Sequence, residues 1–145
     1  MSHSSNPVFE YRKQIEFAET DMAGIVHFAN FYRYMEVAEH AFYRSLGFSV
    51  HPGNAGIGWP RVQATCDFKR PLRFEDQVRV RVFIEEIRSK SVRYRFEFVP
   101  EGTDEIAAVG GMTVVSVQLG GEKMRAVAIP EDYRQRFEEA IAAAG

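Results

Sequence analysis

A carboxylate and a glycine stand directly ahead of an apolar-striped stretch, in the segment that runs from Glu19 through Asp21 and Gly24 to Asn30. The first N–H groups of an α-helix lack hydrogen-bond partners and carry a partial positive charge, so they attract a developing oxyanion. A carboxylate nearby could act on the same carbonyl group as a nucleophile or general base. We therefore predict a reactive site at Asp21. Helix capping by Asp21 and a turn at Gly24 are the structural alternatives.

Two other groups of polar residues are weaker candidates. Arg88, Lys90 and Ser91 fall in a short link between two predicted strands. Cations and hydroxyls suit phosphate oxygens, although a basic turn is common without function. Glu36 and Glu39 fall on a predicted helix, and we interpret both as part of its solvated face.

The residues after Asp21 predict a helix of about five turns. Apolar side chains recur there at three- and four-residue spacing, at Phe28, Phe31, Met35, Ala38, Phe42 and Leu46. Gly47 lies where a C-terminal cap is expected, and Asn30 or Asp21 could bind the first free N–H groups. Ahead of the loop, residues 8–17 alternate as in a half-buried strand, with Lys13 as the one exception on the apolar face.

Four strand candidates follow, at residues 60–68, 76–87, 91–99 and 105–119, with a short one near 125–128 and a terminal helix from Pro130. The short link between the second and third predicts an antiparallel hairpin. Gly110 and Gly111 either bend the fourth or admit a close neighbour. Residues 48–59 predict a loop, and Trp59 belongs either to it or to the core. This order predicts an α+β fold in which one sheet covers one long helix.

Composition limits the classes of function. The 145 residues are 46% hydrophobic and 26% charged with a net charge of −2, which fits one domain over residues 1–145 with residues 1–7 disordered. The basic residues are scattered and no run of about 20 apolar residues occurs, which argues against nucleic-acid and membrane partners. Without a signal-peptide pattern, a cytoplasmic location is the default expectation. Cys66 alternates with apolar residues, which predicts a buried structural thiol, and the histidines show no metal-ligand spacing, so we assign no metal.

The loop resembles that of the hotdog-fold acyl-CoA thioesterases, most closely the 4-hydroxybenzoyl-CoA thioesterase subgroup. The loop of that subgroup reads approximately D-x-A-G-I-V-x-x-x-N, which is matched here by Asp21, Ala23, Gly24, Ile25, Val26 and Asn30. Lys90-Ser91 and the segment 125–133 also look like the family. The similarity therefore covers roughly residues 8–135.

The resemblance implies a hotdog fold, with a long central helix wrapped by a five- to six-stranded antiparallel sheet, and hydrolysis of an acyl-CoA, with an aromatic acyl group among the candidates. By position, Asp21 would be the catalytic acid, and the backbone N–H of Phe28 would polarise the thioester carbonyl. Gly24 and His27 complete the catalytic candidates. The candidate substrate-binding residues are Asn30, Arg88, Lys90 and Ser91.

The resemblance also implies a homodimer or homotetramer with active sites at the dimer interface, and no cofactor beyond the coenzyme A of the substrate. His27 departs from the subgroup, which more often has an aromatic residue there; it is either a satisfied, partly buried histidine or a group that orients water or contacts the acyl chain. The alternatives are hydrolysis of acyl-carrier-protein or 1,4-dihydroxy-2-naphthoyl-CoA thioesters, and a non-catalytic acyl-CoA-binding module.

Overall fold

A computed structural model describes residues 5–50, 56–121 and 123–145. It confirms the predicted α+β arrangement. The strands are β1 (Phe9–Gln14), β2 (Ile57–Gly58), β3 (Arg61–Phe68), β4 (Gln77–Ile87), β5 (Ser91–Pro100), β6 (Ala108–Val115), β7 (Val117–Gln118) and β8 (Arg125–Ala126). The helices are α1 (Ala29–Ser45), α2 (Glu131–Ala144) and a 3-10 turn at Phe17–Glu19.

The main sheet has five antiparallel strands in the order β1-β4-β5-β6-β3. The predicted β4–β5 hairpin is confirmed, with Val80 opposite Phe98 and Val82 opposite Phe96, and these apolar side chains are fully buried. Strands β2, β7 and β8 form a second, small sheet. The long hairpin places β4 and β5 next to each other within the main sheet, on which α1 packs.

Helix α1 lies on the main sheet and buries Phe31, Met35 and Phe42 of the apolar stripe predicted from its spacing. Phe28, the first residue of this predicted stripe, is 61% exposed and lies one residue before the helix starts. Gly110 admits this helix closely: a Cβ built on it would collide with the Met35 side chain, lying 2.9 Å from its Cε. The prediction of a close neighbour at the glycine pair is therefore confirmed. At the other end of α1, Gly47 has φ +87°, as its capping position predicted.

Helix α2 closes the core beside α1. Its Phe137 is fully buried and stacks on Phe42 with ring centroids 6.2 Å apart. Trp59 packs into the same aromatic cluster, 5.9 Å from the ring of Tyr43, so of its two predicted roles the core is correct.

Some sequence predictions need correction. The strand predicted over 105–119 divides at Ser116 into β6 and β7, because the Ser116 N–H donates to Lys90 O, 2.7 Å away, and its carbonyl accepts from Val127. Strand β3 is exposed along most of its length on both faces. Of the loop predicted over 48–59, residues 51–55 lie outside the described residues, as do 1–4 of the segment predicted to be disordered.

The helices within the described ranges are too short or too polar to cross a membrane.

Candidate active site

The loop after β1 presents Asp21 to solvent. Its backbone N–H donates to Ile25 O (2.9 Å) and its carbonyl accepts from Gly24 N (2.9 Å), which closes a tight turn. Gly24 has φ +79°, a conformation that favours glycine. The Ala23 N–H donates to Asp21 Oδ1 (2.8 Å). This contact fixes the carboxylate by one oxygen and leaves Oδ2 for other chemistry.

The start of α1 leaves one N–H available. His27 Nδ1 accepts from Ala29 N (3.2 Å) and His27 O accepts from Asn30 N (2.9 Å), while Phe31 N donates to Phe28 O (3.2 Å). Among the described residues, the Phe28 N–H has no acceptor. The helix start thus supplies one unpaired donor. The prediction that Asn30 or Asp21 caps α1 is wrong, because His27 does so.

Asn30 holds the loop against the helix instead. Its Nδ2 donates to Glu19 O (2.8 Å), and the same carbonyl accepts from His27 N (2.9 Å). These two donors therefore anchor Glu19, which lies two residues before Asp21, to the start of α1.

Two adjoining cavities open at Asp21. One, of about 430 Å³, is lined by Asp21, Phe28, Phe31, Phe68 and Leu72, among others. The other, of about 790 Å³, is lined by Asp21, Gly24, His27 and Asn30, with an apolar wall of Phe17, Met22 and Phe74. Asp21 lies between them, and it shares the first cavity with Phe28.

Sequence analysis missed several residues around these cavities. Lys69 and Arg70 line the same cavity as Asp21, and Arg70 pairs with Glu105 (3.1 Å). Phe17, Met22 and Phe74 are large apolar side chains left exposed, at 74%, 106% and 49% of their full areas. Phe17 falls within the strand predicted over 8–17, but β1 ends at Gln14 and Phe17 begins the 3-10 turn. Met22 and Phe74 had a weak sequence signal, because each belongs to a short segment without a clear period.

His27 is exposed, so its predicted partial burial is wrong. Its ring stacks on that of Phe28 with centroids 4.7 Å apart. Because Nδ1 accepts the Ala29 N–H, a neutral His27 ring carries its proton on Nε2. His27 is one of the residues that line the larger cavity.

The Arg88–Ser91 turn lies far from Asp21 within the same chain. The Asp21 loop is bound through Val26 N to Leu72 O, and the adjoining Lys69 binds Ala107, which in turn binds Phe98. From Phe98 to Ser91 along β5 is about 23 Å at 3.3 Å per residue. One protomer therefore does not bring the predicted phosphate-binding residues to its own Asp21.

The interpretation of both helix glutamates as solvated holds for Glu36, which is half exposed, and is wrong for Glu39. Glu39 is fully buried and accepts a hydrogen bond from Arg61 of β3. Burial raises the pKa of Glu39 to about 7, against the opposing charge of Arg61. This ion pair belongs to the contact between α1 and β3 rather than to the Asp21 cavities.

Cys66 is half-buried, and burial raises the pKa of its thiol to about 11. It is therefore protonated at neutral pH and a poor nucleophile. Among the described residues, no group of three or more His, Cys, Asp and Glu side chains is arranged to hold a metal ion.

The geometry at Asp21 suits attack on a carbonyl group. It combines a carboxylate oxygen that can act as nucleophile or base with an unpaired N–H at a helix start that can stabilise an oxyanion. Asp21 and Phe28, which supply these two groups, line one cavity with largely apolar walls.

Comparison with known proteins agrees with this chemistry. The model of the Thioesterase-like superfamily matches residues 15–137. A 4-hydroxybenzoyl-CoA thioesterase from Pseudomonas sp. is 28% identical over 131 residues, which are 84% of this chain and 92% of that protein. A 1,4-dihydroxy-2-naphthoyl-CoA hydrolase from Thermosynechococcus vestitus is 29% identical over 103 residues, 70% of each chain. The solved structure of a gentisyl-coenzyme A thioesterase superposes with a TM-score of 0.77 at 36% identity, covering 86% of this chain and 98% of that one.

Proposed function

The chain belongs to the Thioesterase-like superfamily and is a thioester hydrolase of the hotdog fold, and on this premise we propose that Asp21 and the Phe28 N–H cleave an acyl-CoA to free coenzyme A and a carboxylic acid. The observation that carries the proposal is their common cavity, which is lined both by Asp21 and by Phe28, the residue whose backbone N–H is unpaired.

The reaction needs little more than these two groups. A thioester expels a thiolate whose conjugate acid has a pKa of roughly 8.5, taking a cysteine thiol as guide, so departure needs no strong general acid. The Phe28 N–H stabilises the oxyanion while the C–S bond breaks. Loss of one such donor typically costs on the order of 10² to 10³ in rate.

Asp21 can act by either of two routes. As a nucleophile, its free oxygen attacks the thioester carbon, the thiolate leaves with the bonding electrons, and water hydrolyses the resulting mixed anhydride to the acid and free Asp21. As a general base, Asp21 takes a proton from a water molecule that attacks the same carbon. We favour the nucleophilic route on the family resemblance. Rapid quenching and mass spectrometry should then reveal a transient acyl adduct on the peptide that contains Asp21.

An aromatic acyl group is the preferred substrate. Phe28, Phe31 and Phe68 line the smaller cavity, and aromatic rings pair favourably at offset or edge contacts. The three relatives compared above are named for aromatic acyl-CoA substrates. Coenzyme A and acyl-carrier protein both carry the acyl group on a pantetheine arm. The assay below therefore varies the carrier as well as the acyl group.

A dimer would complete the site. Pairing two β3 edges antiparallel about a two-fold axis places the Arg61 end of one strand beside the Phe68 end of the other. The Arg88–Ser91 turn lies at the same end of the sheet as Arg61. Val114 of β6 pairs with Val92 on one side and with Arg61 on the other, and Val92 directly follows the turn. The partner subunit's turn would then approach Asp21, where its cations could meet coenzyme A phosphates.

Free-thiol release over benzoyl-, hydroxybenzoyl- and hexanoyl-CoA, and over one acyl-carrier-protein thioester, tests this function. Asp21→Asn keeps the shape of the side chain and should lower kcat at least about 100-fold on the best substrate. Asp104→Asn, in an exposed loop, is the matched control and should match wild type. Binding of acyl-CoA without cleavage by the wild type would favour a binding module, and full activity of Asp21→Asn would contradict the mechanism.

A further inference from the structure

A cluster of charged residues lies next to the Asp21 loop and lines neither of the two cavities. Lys13 of β1 binds Glu16 (Nζ to Oε2, 2.7 Å) and Glu19 (Nζ to Oε2, 3.1 Å), and its Nζ lies 5.7 Å from the centre of the Tyr34 ring on α1. Lys13 is the residue that interrupts the apolar face of β1. Its side chain is 16% exposed and that of Glu19 is 22% exposed, so their ion pair is partly shielded from solvent.

The cluster fixes the 3-10 turn that precedes Asp21. Glu16 N donates to Glu19 Oε1 (2.8 Å), while Glu19 N donates to Glu16 O (3.0 Å). Lys13 therefore binds the two acids whose own contacts close this turn. Burial lowers the pKa of Lys13, but the hydrogen bonds and charges of Glu16 and Glu19 outweigh it, and the net pKa is raised. The ammonium group stays charged at neutral pH.

Glu19 joins this cluster to both reactive groups. Its side chain binds Lys13, while its carbonyl accepts from His27 N and Asn30 Nδ2. Along the chain, Glu19 is two residues before Asp21 and His27 is directly before Phe28. The Glu19 backbone is thus the short connection between the carboxylate and the unpaired N–H.

We propose that Lys13 and Glu19 are positioning residues, which hold the Asp21 carboxylate at the correct separation from the Phe28 N–H. Neither touches the cavities that open at Asp21, so they act through the loop rather than on the substrate. The inference rests on the proposed function, since it assigns a role in the same reaction. It explains why a lysine stands on the apolar face of β1, where an aliphatic residue would bury more apolar area.

Lys13→Met tests the inference, because methionine retains the unbranched apolar stem and removes the charge. We expect kcat to fall about 10- to 100-fold, as for a small misplacement of reacting groups, with KM within about twofold of wild type. Lys13→Arg should recover most of the activity, and Glu19→Gln should lose part of it. Lys123→Met, which removes an exposed lysine elsewhere, is the control and should match wild type. Unchanged kcat in Lys13→Met, or equal losses in Lys13→Met and Lys13→Arg, would overturn the proposal.

A second measurement separates this inference from the proposed function. Hydrogen–deuterium exchange of the His27 amide, which donates to Glu19, should be faster in Lys13→Met than in wild type, with the core strand β5 unchanged. If the wild type cleaves no thioester, the proposed function fails and the exchange result still decides whether Lys13 holds the loop. Equal exchange of residues 19–30 in both proteins would overturn the positioning role directly.

Discussion

At the scale of the residue, the reactivity that we propose for Asp21 rests on its surroundings. An aspartate before a helix usually caps that helix, and Asp21 does bind a nearby N–H, that of Ala23. The difference lies in His27, whose ring nitrogen and carbonyl occupy the next two donors and leave the Phe28 N–H unpaired. In the proposed mechanism, His27 would therefore contribute through its hydrogen bonds to the backbone at the helix start.

Glu39 offers a pH-dependent test at the same scale. Burial raises its pKa from 4.5 unfolded to about 7 folded, so the stability contribution of its protonated form is fully present below pH 4.5 and is lost as the pH rises through 7. Between pH 5 and 8, the free energy of unfolding of wild type should fall by roughly 1–3 kcal/mol relative to Glu39→Gln. Urea denaturation of both proteins across this range measures the difference.

The comparison with Glu39→Gln separates the effect of the Glu39 carboxyl group on the pH dependence of stability from that of His40. Burial and the charge of Arg61 lower the pKa of His40, which makes stability fall toward low pH in both proteins. Because His40 titrates in the opposite sense, the wild-type curve alone would hide the effect. Parallel curves for the two proteins would show that Glu39 remains charged throughout.

At the scale of the element, α1 and the main sheet come into close contact at Gly110. A side chain there would meet the buried Met35, whereas the Cβ of an alanine at Gly111 would point to the other face, 2.9 Å from the exposed hydroxyl of Thr65. Gly110→Ala should therefore lower the free energy of unfolding by about 1–3 kcal/mol, as overpacking does. Gly111→Ala should stay within about 0.5 kcal/mol, because the Thr65 hydroxyl can rotate.

A double-mutant cycle checks the physical cause of this loss. Replacing Met35 by Ala should cost less in the Gly110→Ala background than in wild type, because the smaller side chain relieves the collision. Chemical denaturation of the four proteins gives the coupling free energy. Additive losses would place the strain elsewhere than at the Met35 contact.

Strands β4 and β5 and helix α1 could be predicted from sequence, because burial of one face sets the spacing of their apolar residues. In β4 and β5, alternate side chains face α1, and in α1 every third or fourth residue faces the sheet, so the pattern of side chains matches the structure. Strand β3, predicted over 60–68, is confirmed, but its exposure could not be predicted in the same way. Cys66 alternates with apolar residues as a buried strand would, yet β3 is an edge strand whose neighbouring position remains open.

In the candidate site, too, some residues could be predicted from sequence and others could not. Asp21, Gly24 and Phe28 lie close together in sequence, so a local motif could place them. The role that we propose for Lys13 could not be predicted from sequence, because it depends on where the chain returns after the 3-10 turn. The distance of Arg88 from Asp21 was likewise set by the course of a whole strand.

At the scale of the whole molecule, β3 is an exposed edge of eight residues beside the active-site loop. Val62 and Phe68 on this strand are 62% and 49% exposed, and long apolar edges favour pairing with another chain. Monomeric proteins usually block such edges with charges, proline or a covering element. The edge therefore supports the proposed dimer, in which pairing buries β3 and brings the partner subunit's Arg88–Ser91 turn toward Asp21.

Val62→Lys tests that assembly, because a lysine on the edge opposes strand pairing. Light scattering should give wild type at least twice the 16.6 kDa of one chain and shift Val62→Lys toward the monomer mass. The monomer should also lose activity, chiefly because its KM for acyl-CoA rises above that of wild type. Its KM for the corresponding acyl-pantetheine should rise less, since only acyl-CoA carries the phosphates that the partner's turn would bind. Met124→Lys, on an equally exposed apolar residue away from β3, should leave mass and KM unchanged. A fully active wild-type monomer would exclude the partner's contribution, because every group needed for turnover would then lie within one chain.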